Sequence, residues 1–489
     1  MQFSLTIMKK PILLLTIAAA FISSEAWCQN EEDALRYSQQ WTPASARSWG
    51  MGGAMGALGA DLSSFFSNPA GLGAYKRGSI ELSLGLTDVR TTSDYVGSSH
   101  SDFATRMELN NFAVVGGQKS NESGLTFNFG VAYAKSNQFA QRLRIEGDVS
   151  NSSILDVFAT QAGGLSTADV SNLFPFTAGA AIAVNGIVPS SDSLFFSPNA
   201  QGKLHQTKNI VRKGHQNVTA FAFGMGIKDK LFFGMAINFH GSRLVQDSDH
   251  QEDYQSGQAI SKFVYSDDLN SDGSGFSVRL GFLAKPTQWL RVGAAVQTAT
   301  AMTIREGWDV NTSSESTTQG YQVYNSSTLI TDYNLRIPAR YMANIAFVLG
   351  KAGSVAADYE YINYNNIRMD GAGLNNTYDY AAENAVIQTS YRGTHKVSAG
   401  MEWRLPYRLY LRAGATYAQS PYYKDVMDNP SMISYHMGMG YKKDNWFLDL
   451  GLASYQNQSS VYVYDPSVAS PANIVSNIVR GLLSAGLRF

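Results

Sequence analysis

The stretch VRGLLSAGLRF (Val479–Phe489) places Val479, Leu483, Ala485, Leu487 and Phe489 on one face of an extended chain, and Arg480, Ser484, Gly486 and Arg488 on the other. A period of two with one apolar face and a terminal aromatic is the pattern of a strand set in a lipid-facing wall. SGLTFNFGVAYAKS (Ser123–Ser136) repeats it, with Phe127, Phe129, Val131 and Tyr133 on one side and Asn128, Gly130, Ala132 and Ala134 on the other. Bulky residues outward and small ones inward are what a barrel wall needs.

Working back along the chain, the same alternation recurs about fourteen times. Ser79–Val89, Leu109–Lys119 and Ser123–Ser136 come first, followed by Gln216–Ile227, Leu231–Leu244, Gly275–Ala284 and Trp289–Ile304. Asn334–Leu349, Ser354–Ile367, His395–Leu405, Tyr407–Ala418, Ser434–Lys442, Trp446–Gln456 and Val479–Phe489 complete the set. Tight connections fall at Lys228–Lys230, Lys285–Thr287, Gly350–Gly353, Pro406 and Lys443–Asn445, and they alternate with long ones. An even strand number with short turns on one side predicts an all-β fold, a transmembrane antiparallel barrel of the outer membrane with both ends in the periplasm. Trp289, Trp403 and Trp446 each sit beside a short turn, where an amphipathic ring suits the headgroup level.

Composition agrees. Charged residues make up 16% of the chain, against roughly 25% in soluble domains, while Gly (44), Tyr (26) and Phe (25) are abundant. No apolar run long enough for a membrane helix occurs outside the amino-terminal leader. A formal net charge of -1 with no basic stripe speaks against nucleic acid as a partner. Lys9 and Lys10, the apolar Pro11–Ile22 and small residues at Ser24 and Ala26 predict a signal peptide over 1–28. The single Cys28 is either a lipidated first residue or part of the discarded leader, and Glu25, Ala26 and Trp27 are poor company for lipidation.

Between the leader and the barrel at 79–489 lies a segment, 29–78, whose core SARSWGMGGAMGALGADLSSFFSNPAGLGAY (Ser45–Tyr75) does not alternate. Poor in charge and rich in Gly and Ala, it predicts compact turns packed inside the lumen, where Gly permits tight conformations and Pro69 fixes one φ. It is expected to be a plug.

The run Gly50–Gly59, with Asp61, Phe65, Phe66 and Asn68-Pro69-Ala70-Gly71 just ahead of the first strand, resembles the outer-membrane long-chain fatty-acid transporter family, of FadL and toluene-transporter type. Asp33–Ser38 and GMGGAMGALGADLSS are similar to its Bacteroidetes branch, whose members are often labelled hemin receptors. The motif covers about forty residues, and beyond it the likeness is architectural. The resemblance implies an amino-terminal hatch bearing the Asn-Pro-Ala turn, loading of a hydrophobic ligand from outside, and lateral exit through a gap in the wall. Asn68, Pro69, Ala70 and Gly71 are then the hatch turn, and Phe65 and Phe66 pack either within the hatch or against ligand. Phe489 resembles the signal read by the barrel-assembly machinery.

The longest connection, about 137–215, carries the apolar pieces Ile154–Leu165, Val170–Val188 and Leu194–Phe196. These suit either an outer cap with an apolar groove or a loop that packs on itself. The connections Gln246–Ser274, Arg305–Tyr333 and Met369–Thr394 are polar and are expected to be exposed.

Other chemistry finds little support. Gly50, Gly52, Gly53 and Gly56 miss the spacing of a nucleotide loop, and no Lys-Ser/Thr pair follows. The seven histidines have no metal-ligand spacing, although one axial heme ligand from His100, His205, His215 or His250 would be a slight requirement. Asp268, Asn270 and Asp272 with Gly273 match the first half of a calcium loop, a weak metal candidate whose twelfth position is Arg279 rather than a carboxylate. His240 and Ser242 lie at one strand end without a partner for catalysis, so no enzyme and no cofactor is expected. The sequence therefore points to a passive transporter of hydrophobic or amphipathic molecules such as long-chain fatty acids, with the small ligand, outer-membrane lipid and the assembly machinery as partners. Two rivals are a barrel that receives a secreted protein, as in type IX secretion, and a small-solute porin.

Overall fold

The computed structural model describes residues 31–489 apart from 120–123, 192–193, 200–201, 256, 374–375, 377, 425 and 427–430; the expected leader, with Cys28, lies outside the described residues. The strands are β1 Ser79–Tyr95, β2 Ser98–Lys119, β3 Leu125–Gln138, β4 Gln141–Ser150, β5 Val188–Ser191, β6 Leu194–Phe196, β7 Lys203–Ile227, β8 Leu231–Tyr254, β9 Ile260–Ala284 and β10 Leu290–Gln297. They continue as β11 Thr300–Ser316, β12 Gly320–Asn325, β13 Leu329–Ile337, β14 Arg340–Val348, β15 Gly353–Asn363, β16 Arg368–Gly371, β17 Gly393–Arg404, β18 Leu409–Ala418, β19 Met432–Lys443, β20 Trp446–Tyr462 and β21 Pro471–Arg488.

Leaving aside the separate β5–β6 hairpin, three pairs act as single staves interrupted once, β3 with β4 on β7, β10 with β11 on β9, and β15 with β16, while β12, β13 and β14 run on as one stave. That makes fourteen antiparallel staves, and the ladder from Ser79↔Arg488 to Asp94↔Asn473 between β1 and β21 closes the ring. Closure pairs the first stave with the last, so that neither is left as a free edge in hydrocarbon. Lys228 and Asp229 have φ of 51° and 55°, the left-handed pair that lets a tight hairpin follow the strand twist.

Outward positions at the turn end form the lipid belt: Leu231, Phe233, Met235 and Phe239 on β8 and Phe276, Leu280 and Phe282 on β9 are all exposed, while Phe232, Ala236 and Asn238 between them are buried. Trp289, Trp403 and Trp446 lie exposed beside the turns, an inner aromatic girdle.

Above the belt the expected loops are corrected. Both β7 and β9 are 25 residues long, where about 10 would cross the bilayer, so the wall continues far beyond it. Gln246–Ser274 and Arg305–Tyr333 are mostly ladder, and Phe263, Leu269, Trp308 and Val310 within them are buried. Their outward faces are polar because they meet water, and this erased the apolar alternation that marks strands in lipid. The long connection shrinks for the same reason: β4 and β7 reclaim both its ends. Its helices Ile154–Ala162, Thr167–Leu173 and Ala178–Ala183 bury Leu155, Phe158, Val170 and Ala181 in one cluster with Phe263 and Trp308. Those apolar pieces thus pack into a cap. Met369–Thr394 is likewise not simply exposed: Met369 and Ile387, the latter on the helix Ala381–Ser390, are fully buried.

Candidate functional site

The amino-terminal segment threads the whole lumen. Its helix Glu31–Ser38 sits at the outer end, where Tyr391 Oη donates to Glu31 O at 2.9 Å and Tyr37 Oη donates to Ser271 Oγ at 2.7 Å and to Glu306 Oε1 at 3.2 Å. Glu306 lies five positions beyond the lipid-belt level that Phe276 shares with Ala301. Burial, with Asp33 nearby, pushes its carboxyl up to about 8.

Deeper in, capping residues shape the hatch. Ser45 Oγ accepts from Ser48 N at 3.0 Å to start the short helix Ala46–Gly50, and Asp61 accepts from Ser63 N at 3.0 Å to start the turn Leu62–Phe65. Asn68 Oδ1 accepts from Ala70 N at 3.2 Å, and Pro69 opens the turn Pro69–Ala74 with its φ already set.

The hatch is sutured to the wall around its circumference. Arg47 makes a two-pronged pair with Glu402, both contacts 2.9 Å, and Glu402 also accepts from Arg412 at 2.8 Å. Met55 N and Gly56 N donate to Asp358 Oδ2 at 3.0 and 2.8 Å, Asn128 Nδ2 donates to Leu72 O at 2.8 Å, and Thr416 Oγ1 donates to Gly52 O at 2.8 Å. The Asn68–Gly71 turn belongs to this seal. Asn68 Nδ2 donates to Phe282 O at 3.0 Å, and the turn lies so close to the wall that a Cβ on Gly281 would stand 2.2 Å from Asn68 Oδ1, and one on Gly234 2.2 Å from Pro69 C. Phe65 and Phe66 are also at the seal, buried with Ala113, Ala132 and Ala220 of the wall. Neither ring lines the main cavity; Phe66 borders only a void of about 20 Å³.

Above the hatch and below the cap is a cavity of about 420 Å³. The hatch contributes Trp41, Trp49 and Gly53, the cap side Arg36 and Arg212, and the wall includes Val89, Ile478, Tyr455 and Met342. It is amphipathic, which suits a small organic ligand with one polar end. Sequence reasoning assigned none of these residues to a cavity. Trp41 and Trp49 stand in a segment without periodicity, and a lumen-facing Tyr on a strand carries no mark of its own.

The cavity also meets a break in the wall. The β3–β7 register shifts between Lys135 and Asn137, and the stave resumes as β4 only after Phe139 and Ala140. The β2–β3 ladder ends at Asn111↔Ala134, and among the described residues no ladder joins 98–110 of β2 to β3 or β4. Trp41 N donates to Ser136 O at 2.7 Å and Asn137 Nδ2 to Gln39 O at 2.8 Å, so the hatch segment supplies partners that the missing ladder does not. Lys135 is ion-paired with Glu108 across this seam, and Asn137 and Phe139 line the cavity.

The remaining sequence candidates lie elsewhere. Asp268, Asn270 and Asp272 occupy alternate positions of the strand β9, not a loop, so they are spread along the strand instead of converging; the calcium-loop geometry is corrected. Among the described residues no group of acids, histidines and cysteines could hold a metal. His205 Nδ1 is 2.7 Å from Asp148, and His250 Nε2 is 3.2 Å from Glu252 within the cap; neither of these, nor His100 or His215, lines the cavity. In the same cap, burial raises Glu252, but hydrogen bonds from His250, Ser153 and Tyr254 outweigh it and hold this carboxylate below its ordinary range.

No family model and no curated protein matches the sequence. Solved structures do match the fold. A Pseudomonas aeruginosa FadL homologue aligns over 91% of this chain and 98% of its own at 12% identity, with a TM-score of 0.57. The P. putida toluene transporter TodX aligns over 92% and 99% at 15% identity and 0.54, and the CymD monoaromatic hydrocarbon channel over 92% and 98% at 15% and 0.52. With its closed fourteen-stave wall, apolar belt and lumen-filling hatch, the chain has the transmembrane β-barrel fold of these FadL-type and toluene-transporter structures.

Proposed function

We propose that the protein is a passive outer-membrane channel for hydrophobic or amphipathic small molecules, long-chain fatty acids among them. The carrying observation is the amphipathic cavity of about 420 Å³ enclosed between cap and hatch and opening onto the broken β2–β3 seam. A ligand loaded beneath the cap leaves sideways through that seam into the membrane, driven by transfer of apolar surface at about 25 cal/mol per Å² with no energy source. The Asn68–Gly71 turn holds the hatch closed beneath it. The descriptions of the fold's neighbours as toluene transporters and a hydrocarbon channel support this reading, and the filled lumen argues against a simple porin.

The test is uptake of a labelled long-chain fatty acid by a Gram-negative host lacking its own fatty-acid channel. Uptake that depends on this protein and changes in Pro69→Leu, with heat-modifiable gel mobility retained, is the expected result. No uptake with surface expression confirmed would remove fatty acids from the proposal, and co-purification of a secreted protein would then favour the secretion-partner reading.

A further inference from the structure

Trp49 and Tyr455, which line one side of the cavity, and Arg480 beside them carry hydrogen-bond donors that no described residue meets. Trp41 and Trp49 of the hatch stack at 6.2 Å and 23°, and Tyr455 of β20 packs edge-on to Trp41 at 5.2 Å. Arg480 of β21 places its guanidinium 5.2 and 5.3 Å from the two indole rings. Trp49 Nε1, Tyr455 Oη and Arg480 Nε are buried and without partners, and Tyr455 is 7% exposed while lining the cavity. Arg480 Nη2 donates to the neutral Asn110 Oδ1 at 2.5 Å and the indoles cover its faces, while the acid whose charge reaches it, Glu108 of β2, is ion-paired with Lys135.

Folded chains rarely leave a buried donor unmet, because its lost hydration is not returned. Three unmet donors clustered beside a cavity are explained if the missing acceptor arrives with the ligand. The hatch's other contacts offer a comparison: Arg47, Asn68 and Thr416 each find a partner within the protein.

Resting on the channel reading above, we infer that Trp49, Tyr455 and Arg480 form a polar subsite that binds the oxygen-bearing end of an amphiphile, so that the channel discriminates against bare hydrocarbons. The cavity's acids, Asp358 and Glu360, stand on β15, several staves from this side, and Glu360 is paired with Arg340 at 3.3 Å. The subsite therefore offers an acceptor, above all a carboxylate, donors and a positive charge; the acid on its own staves, Asp449 of β20, is paired with Arg412 at 2.7 Å. Trp49 and Tyr455 act as specificity-determining residues, and the apolar remainder of the ligand lies against Val89, Ile478 and Met342.

The experiment is equilibrium dialysis of the full-length, detergent-solubilised protein with three probes sharing one tail: 4-phenylbutyrate, its methyl ester and butylbenzene. Trp49→Phe and Tyr455→Phe each remove one donor and keep the ring, and heat-modifiable mobility confirms that the barrel is folded. The acid and the ester should bind more tightly than the hydrocarbon, and each variant should weaken them by about tenfold while leaving butylbenzene unaffected. A larger advantage for the acid than for the ester assigns a share to the Arg480 charge.

Equal binding of all three probes, or equal loss of all three in the variants, would overturn the subsite and leave the channel reading standing; it is also the result expected if water alone met these donors. Binding of none of the probes would overturn both readings.

Discussion

Glu402 is held by two guanidinium groups, Arg47 from the hatch and Arg412 from β18, inside a wall that excludes water. Removing its charge leaves both cations without it, so Glu402→Gln should cost about 3–5 kcal/mol. Hydrogen exchange should then rise over Ala46–Gly50 before it rises in the staves. Glu306 makes an opposite kind of statement. Its carboxyl is raised from 4.5 to about 8, so between those values the native state keeps a proton that the unfolded chain has released. The stability of the outer helix is therefore greatest below pH 4.5 and falls as pH rises through the window. Exchange protection of Glu31–Ser38 should fall accordingly, and Glu306→Gln should flatten that slope.

At the scale of elements, the cap helix Ile154–Ala162 begins on Glu252, which accepts from Ile154 N at 2.9 Å and Ser153 Oγ at 2.5 Å. The lowered carboxylate contributes stability above its unfolded value near 4.5 that is lost as pH falls through its lower folded value. Acid should thus loosen this helix while the barrel persists, and limited proteolysis within 151–202 below pH 4 would detect it. The seam behaves as a second separable element. If ligand leaves between β2 and β3, Glu108→Gln removes the Lys135 latch, worth about 1 kcal/mol for a partly exposed pair, and uptake should rise about fivefold. An unchanged rate with normal surface expression would place the exit elsewhere. The wall's lipid-facing portion was legible from alternation, as in Phe127–Tyr133. The kink was not, because Asn137–Ala140 resemble any polar-to-apolar loop start and the register shift exists only against β7.

For the whole molecule, the hatch and wall form one closed body with the cavity on the outer side of the seal. Intact protein in a planar bilayer should show little steady conductance, and deletion of Asn68–Gly71 should raise it while the barrel remains folded. High conductance from the intact protein would contradict a closed hatch.

Sequence alone determined the barrel, its stave count and the presence of a luminal plug. Hydrocarbon imposes a period of two on every stave it touches, and a non-alternating Gly- and Ala-rich segment cannot join such a wall. Tertiary structure decided what lies beyond the lipid. It showed that the polar stretches around Asp247 and Asp309 remain strands, that Phe65 and Phe66 seal the hatch, and that Trp41, Trp49, Tyr455 and Arg480 meet beside a cavity. Outside the bilayer no solvent enforces a pattern, and residues more than 400 positions apart become neighbours only when the ring closes.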